Sequence, residues 1–208
     1  MLINAGAALR WLSTQTPDLK EAREALGRIA KDAKRAGEII DRIRALIKKA
    51  APQKDRVDVN ETVLEVVALA RSELLRDRVS LLTQLADDLL LVEGDRVQLQ
   101  QVLLNLIVNA VEAMRGVGDN ARELRIGTEK DASGGVLLAV RDTGPGLDPQ
   151  SEGRLFEAFY TTKPSGMGMG LSICRAIIEA HGGRIWAGAN APKGAIFQFT
   201  LPRGGDEG

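Results

Sequence analysis

Asp95-Arg-Val-Gln-Leu-Gln-Gln-Val-Leu-Leu-Asn105-Leu-Ile-Val-Asn109-Ala-Val-Glu-Ala-Met114 is the stretch around which the rest of the chain is organised. Leu99, Val102, Leu106, Ala110 and Ala113 recur every three or four residues, the stripe of a helix facing a core. Asp95 follows Gly94 and is placed to cap the first turn by accepting from an unpaired backbone N–H. Gln98, Gln101, Asn105, Asn109 and Glu112 form a second stripe with the same spacing. Asn is a poor helix former, yet Asn105 and Asn109 stand one turn apart among Leu, Ile, Val and Ala. Two amides so placed can hold a hard cation or order water beside phosphates. They can equally be satisfied polar groups at the edge of a core.

Outward from this helix, helices and strands mix without regular alternation. Upstream, Asn60 to Arg76 reads as a helix, and Val79–Leu85 and Leu89–Val92 read as strands. Downstream, Leu124–Thr128 and Val136–Val140 form a strand pair around the Asp131–Gly135 turn. A helix over 169–180 closes on Gly182 and Gly183, and Arg184–Ala189 and Ala195–Leu201 are the last strands. The pattern predicts an α+β fold: a two-layer sandwich with helices on one face of a mostly antiparallel sheet.

The N-terminal fifty residues differ. Met1 to Ser13 reads as a short helix. A longer one begins at Asp18, with Leu19, Ala22, Leu26, Ile29, Ala33, Ala36, Ile40, Ile43 and Ile47 in alternating steps of three and four, a sustained heptad seam. The expected organisation is a helical hairpin over 1–51, a linker over 52–56, an α+β domain over 57–202 and a disordered tail over 203–208. The second arm spans about 32 residues, or about 48 Å, and the first only about 13. Either a second chain covers the excess or the first helix is cut short, and such seams pair as four-helix bundles.

Composition bounds the function. The 208 residues carry 28 Lys and Arg against 28 Asp and Glu, so no global field draws the chain to nucleic acid. No apolar run is long enough to span a bilayer, and the N-terminus lacks a secretory pattern, so the default location is cytoplasmic. Cys174 is the single cysteine, which excludes an internal disulfide and a cysteine metal cluster.

Three further segments bear chemistry. Asp142-Thr-Gly144-Pro-Gly146 follows a strand. Its glycines permit a tight turn and close approach of a flat ligand, and its carboxylate can accept from an exocyclic amino group; a simple turn reads the same way. Leu147 to Lys163 is a long segment of the kind that forms lids, with Phe156 and Phe159 expected to pin its base by packing. Gly166-Met-Gly168-Met-Gly170-Leu171 opens a helix and exposes backbone N–H groups to an anion. It is neither a Walker motif nor a Rossmann motif.

The order of these boxes resembles the ATP-binding domain of sensor histidine kinases, in the superfamily shared with gyrase and heat-shock chaperones. The resemblance covers about 57–202. It implies the N box at Asn105-Leu-Ile-Val-Asn109, the first G box at Asp142–Gly146, the F box at Leu155–Phe159 and the second G box at Gly166–Leu171. Asn109 would then ligate Mg²⁺ and Asn105 would support it or contact phosphate. Asp142 would take the adenine amino group, and Gly144 and Gly146 would shape its pocket. Lys163, Gly166, Gly168, Gly170 and Leu171 would meet the phosphates of ATP, and Thr200 would approach the adenine region. Hydrolysing members of the superfamily carry a Glu near the place of Asn105. An amide cannot accept a proton at neutral pH, so Asn105 favours transfer over hydrolysis.

The hairpin resembles the dimerisation and phosphoacceptor domain of kinases with oxygen- or nitrogen-sensing input modules. There the acceptor histidine lies upstream in the first helix. The single histidine here is His181, at a helix end where it suits the dipole. The expectation is a catalytic core that transfers the γ-phosphate of ATP to a histidine for two-component signalling but, lacking that acceptor, does not phosphorylate itself. It would pair as a homodimer or heterodimer with a His-bearing kinase partner and act on a response regulator. The alternative is a non-catalytic ATP-binding and dimerisation module that regulates a full-length kinase.

Overall fold

The computed structural model describes residues 2–13, 18–27, 29, 55–115, 117, 122–149, 151–163 and 168–204. The chain divides into two compact units, residues 1–49 and 50–208. In the first, α1 spans Leu2–Leu12 and a second helix, α2, includes 19–27. Asp18 caps α2: its Oδ1 accepts from the N–H groups of Lys20 and Glu21, both at 3.1 Å. Ala8, Ala22 and Ala25 are buried, whereas Leu9, Leu19 and Leu26 are exposed. The described part of the seam therefore leaves Leu19 and Leu26 uncovered, as α1 leaves Leu9. The seam from Ala33 to Ile47 lies outside the described residues.

The second unit holds a five-stranded sheet in the order β2-β4-β5-β7-β6. Its strands are β2 (Ser80–Leu85), β4 (Glu123–Lys130), β5 (Val136–Asp142), β6 (Arg184–Ala189) and β7 (Ala195–Leu201). The β2–β4 pair is parallel and the other three are antiparallel. Three helices, α3 (Val59–Arg76), α4 (Arg96–Arg115) and α5 (Gly170–Ala180), supply the other layer. The two-layer α+β reading holds.

Asp55 and Arg56, expected as linker, instead form β1 with Val57 (Asp55–Val57). It pairs antiparallel with β3 (Val92–Gly94), Val57 opposite Val92. Both valines are almost fully buried, so an apolar anchor drew the polar neighbours into a strand. The same pairing moved β3 downstream of the expected 89–92.

Strand alternation sends one set of side chains to the helices. On β7, Ala195, Phe197, Phe199 and Leu201 are buried while the residues between them are half-exposed. With few aromatic residues available, the core is aliphatic, and Phe199 is its largest fully buried side chain. On α4 the predicted stripe packs inward: Leu99, Val102, Leu106 and Ala110 are each at most 2 % exposed.

Two contacts orient α4. Asp95 caps it, its Oδ1 accepting from Val97 N–H at 2.9 Å and Gln98 N–H at 3.1 Å. The Asp95 N–H itself donates to Nε2 of His181 at 2.9 Å, while Nδ1 of His181 lies 2.7 Å from the Ile177 carbonyl. The ring thus donates at Nδ1 and accepts at Nε2, the neutral tautomer that both partners require. His181 closes α5 as its C-cap residue, the helix-end place expected of it, and its ring also links two helices. It ties the end of α5 to the start of α4, so the helices run antiparallel and the beginning of α5 reaches the middle of α4.

Candidate functional site

The antiparallel pair places the first residue of α5 against the N box. A Cβ on Gly170 would lie 4.0 Å from Nδ2 of Asn109. One turn earlier on α4, Nδ2 of Asn105 is buried and has no hydrogen-bond partner, the one such side-chain atom among the described residues. A buried unpaired amide is costly and marks a place where something else supplies the acceptor. Oδ1 of Asn109 accepts from the Lys163 ammonium at 3.2 Å. The same ammonium donates to Oε2 of Glu112 at 2.7 Å. Glu112 belongs to the polar stripe, but the sequence alone does not single it out; its three-residue spacing from Asn109 is the available signal.

Asp142 ends β5 and is only 3 % exposed. Its Oδ1 accepts from the N–H groups of Gly144 at 2.8 Å and Ala195 at 3.3 Å. Among the described residues nothing donates to Oδ2. Burial pushes its pKa above the usual carboxylate range, and the two backbone donors oppose that shift. Gly144 is wedged between this carboxylate and Ala113 of α4, 3.4 Å from where its Cβ would stand. Sheet and α4 thus meet at the first G box, and Gly146 follows at φ +89°.

Two neighbours of Asp142 escaped the sequence reading. Asn190 donates its Nδ2–H to the Asp142 carbonyl at 2.8 Å. Gly194, at φ +121°, lies so close that a Cβ would sit 1.9 Å from that carbonyl oxygen, so only glycine fits. Both lie in what looks like an ordinary turn between strands.

Thr200 is not part of this site. The β5–β7 register sets Thr200 opposite Leu137 and Ile196 opposite Arg141, so Thr200 stands at the far end of the strand from Asp142, about 16 Å away at 3.3 Å per residue. It also lies on the face away from the helices, where its Oγ1 accepts from Arg184 N–H. The β7 residue beside Asp142 is Ala195. An antiparallel partner runs backwards, and the sequence distance from the last turn concealed that.

The lid departs from expectation at one phenylalanine. Phe156 packs on the core, but Phe159 is 75 % exposed with φ +67°. Its N–H donates to the Gly168 carbonyl at 3.0 Å. Gly168, at φ +66°, presses so closely on the Phe159–Tyr160 backbone that a Cβ would come within 2.4 Å. This contact closes the neck of the lid and turns Phe159 outward. Tyr160 anchors the base instead: its hydroxyl donates to Oγ of Ser151 at 2.6 Å, and the Arg154 guanidinium lies 4.6 Å over its ring. Leu171 is half-buried against the core. Gly166 lies outside the described residues.

The site thus brings together Asn105, Asn109, Lys163 and Gly170, and separately Asp142, Gly144 and Gly146, with Gly168 at the lid neck. The donor set fits a hard cation. Asn109 offers an amide oxygen that already faces a positive charge, and oxygen is the ligand such ions prefer. Among the described residues no cluster of three His, Cys, Asp or Glu could hold a metal alone, so the remaining ligands would come from substrate oxygens and water.

Residues 94–205, more than half of the chain, match the family of histidine kinase-, DNA gyrase B- and HSP90-like ATPases. The sensor histidine kinase TmoS of Ectopseudomonas mendocina is 39 % identical over 97 % of this chain, which spans 21 % of that protein. The sensor protein FixL of Bradyrhizobium diazoefficiens is 42 % identical over 89 % of this chain and 36 % of its own length. The chain therefore spans about a fifth to just over a third of these relatives. The catalytic domain of the histidine kinase ThkA superposes with a TM-score of 0.65 at 34 % identity, covering 73 % of this chain and 96 % of that domain. ThkA in complex with the response regulator protein TrrA gives 0.77 at 28 % identity over 97 % of this chain and 57 % of that one. No helix among the described residues is long and apolar enough to cross a membrane. On this match and these relatives, the chain belongs to the histidine kinase-, gyrase- and HSP90-like ATPases and carries the ATP-binding catalytic domain of a two-component sensor histidine kinase.

Proposed function

We propose that this chain binds Mg-ATP and transfers its γ-phosphate to a histidine other than His181, from which it passes to a response regulator. The observation that carries the reading is the pair of amides on α4: Nδ2 of Asn105 buried without an acceptor, and Oδ1 of Asn109 already engaged by a cation. In this reading Asp142 accepts the adenine amino proton through Oδ2, and Gly144 and Gly146 leave room for the flat ring. Asn109 ligates Mg²⁺, which neutralises phosphate charge when bound. Asn105 donates to a phosphate oxygen. Lys163 and the backbone N–H groups of Gly166, Gly168, Gly170 and Leu171 offer the remaining positive field. Catalysis is then positioning and charge neutralisation. Asn105 cannot take a proton from water, which favours transfer over hydrolysis.

His181 is not the acceptor on our reading, because it is 6 % exposed and both of its ring nitrogens are engaged. The uncovered leucines of α1 and α2 suit pairing with a second hairpin, either another copy or a His-bearing kinase. A regulator partner is supported by the likeness to ThkA, which is known bound to TrrA. ATP supply places the activity in the cytoplasm. The test uses ATP labelled at the γ-phosphate, with this chain alone and then with a His-bearing helical bundle from a related kinase whose own ATP domain is disabled. Label on the bundle and none on this chain is expected. Label on neither, with ATP bound, would favour a regulatory module that does not catalyse.

A further inference from the structure

Two acceptors three residues apart on one helix face hold a single ammonium. Lys163 donates to Oε2 of Glu112 at 2.7 Å and to Oδ1 of Asn109 at 3.2 Å. We infer that Glu112 is a positioning residue: it stations Lys163 on the metal-ligating oxygen of Asn109 while phosphates are absent, and so makes nucleotide affinity depend on the metal. The inference rests on the nucleotide reading above.

The argument is electrostatic. One amide oxygen cannot hold an ammonium and a divalent cation together without placing two positive charges within a few ångström of each other. Loading the cation on Asn109 therefore requires Lys163 to leave. Its flexible four-carbon stem permits that, and the phosphates are its natural destination. Glu112 then matters twice. Metal-free nucleotide must draw Lys163 from its carboxylate, and it leaves that carboxylate facing the triphosphate. When Asn109 carries the cation instead, the charge of Glu112 is again compensated. Free nucleotide is penalised and metal-loaded nucleotide is spared. Glu112 and Lys163 are each somewhat over a third exposed, so solvent screening limits the effect to no more than about fivefold.

The experiment titrates a non-hydrolysable ATP analogue into the full chain, once with EDTA and once with saturating Mg²⁺, and takes the ratio of the two dissociation constants. Glu112→Gln is expected to lower that ratio about threefold to fivefold, chiefly through tighter binding in EDTA. Glu112→Ala carries the same expectation. The shift should shrink when Glu112→Gln is made in a Lys163→Met chain, which a merely structural role would not produce. An unchanged or raised ratio, or an equal shift without Lys163, overturns the inference while wild-type binding leaves the nucleotide reading intact. Failure of the wild type to bind the analogue in either condition overturns both.

Discussion

The two ends of α4 are built on opposite terms. At its start a chain of polar groups is matched: Asp95 caps the helix, its own N–H is taken by His181, and His181 returns to Ile177. Gly94 leaves no spare volume, since a Cβ there would come 2.6 Å from the His181 ring. Two to four turns on, an amide nitrogen of Asn105 has no acceptor, a lysine occupies Asn109, and one oxygen of Asp142 accepts nothing among the described residues. An unmatched polar group costs about 1–3 kcal/mol. A fold that ties one end in this way tolerates such a cost at the other where a ligand would offset it. On the proposed reading, the closed end locates and the open end binds.

The largest effect should come from removing the metal oxygen. Asn109→Ala is expected to weaken Mg-dependent nucleotide binding about hundredfold, roughly 3 kcal/mol, as read by titration with a fluorescent ADP analogue. Unchanged affinity would break the assignment of the open end. Asp142→Asn comes next. It keeps an oxygen for Gly144 and Ala195 but sets a donor against the adenine amino group, at an expected cost of about 10- to 100-fold in affinity.

The same substitution separates binding from stability through pH. Burial raises the pKa of Asp142, so the folded chain prefers the proton. The wild type has its full stability from this group below the ordinary carboxylate pKa and loses it as pH rises through the raised one. The substituted amide cannot ionise. The stability of Asp142→Asn relative to wild type should therefore climb across that window and level off above it, as read from denaturant midpoints. A gap that does not vary with pH would mean that burial of this carboxylate costs nothing.

The closed end was legible in outline and the open end in identity. Periodicity alone fixed α4, and the Asp95 cap followed from local rules that need no partner. The boxes were recognisable because Asn, Asp, Gly and Lys are chemically distinctive at their spacings. What escaped depends on pairing between distant segments. Thr200 was misplaced because only register tells which end of β7 meets Asp142. Phe159 reads as core in the sequence, but Gly168, nine residues on, imposes its outward turn. Asn190 and Gly194 touch Asp142 through backbone contacts that a turn sequence does not advertise, and β1 formed because Val57 found Val92.

A smaller effect tests whether the two ends are independent. Gly94→Ala should push the His181 ring from Asp95, at about 1–3 kcal/mol of stability, while leaving the nucleotide affinity of folded molecules near that of the wild type. If affinity falls as far as stability, the start of α4 does more than locate the site.

The smallest and most discriminating effect belongs to Asn105. Asn105→Leu removes the unmatched amide, keeps the branched heavy-atom shape and improves helix propensity by about half a kcal/mol. Folding stability should stay level or rise by up to about 1 kcal/mol, while phosphate transfer to a supplied histidine falls. Chemical denaturation and the labelled-transfer assay read the two quantities on one protein. A gain in one with a loss in the other is the mark of a residue retained for its ligand against the interest of the fold. A loss of stability would instead mean that Asn105 is matched in the folded chain, by water or by residues beyond those described, and the contrast between the two ends of α4 would narrow to Asn109 and Asp142.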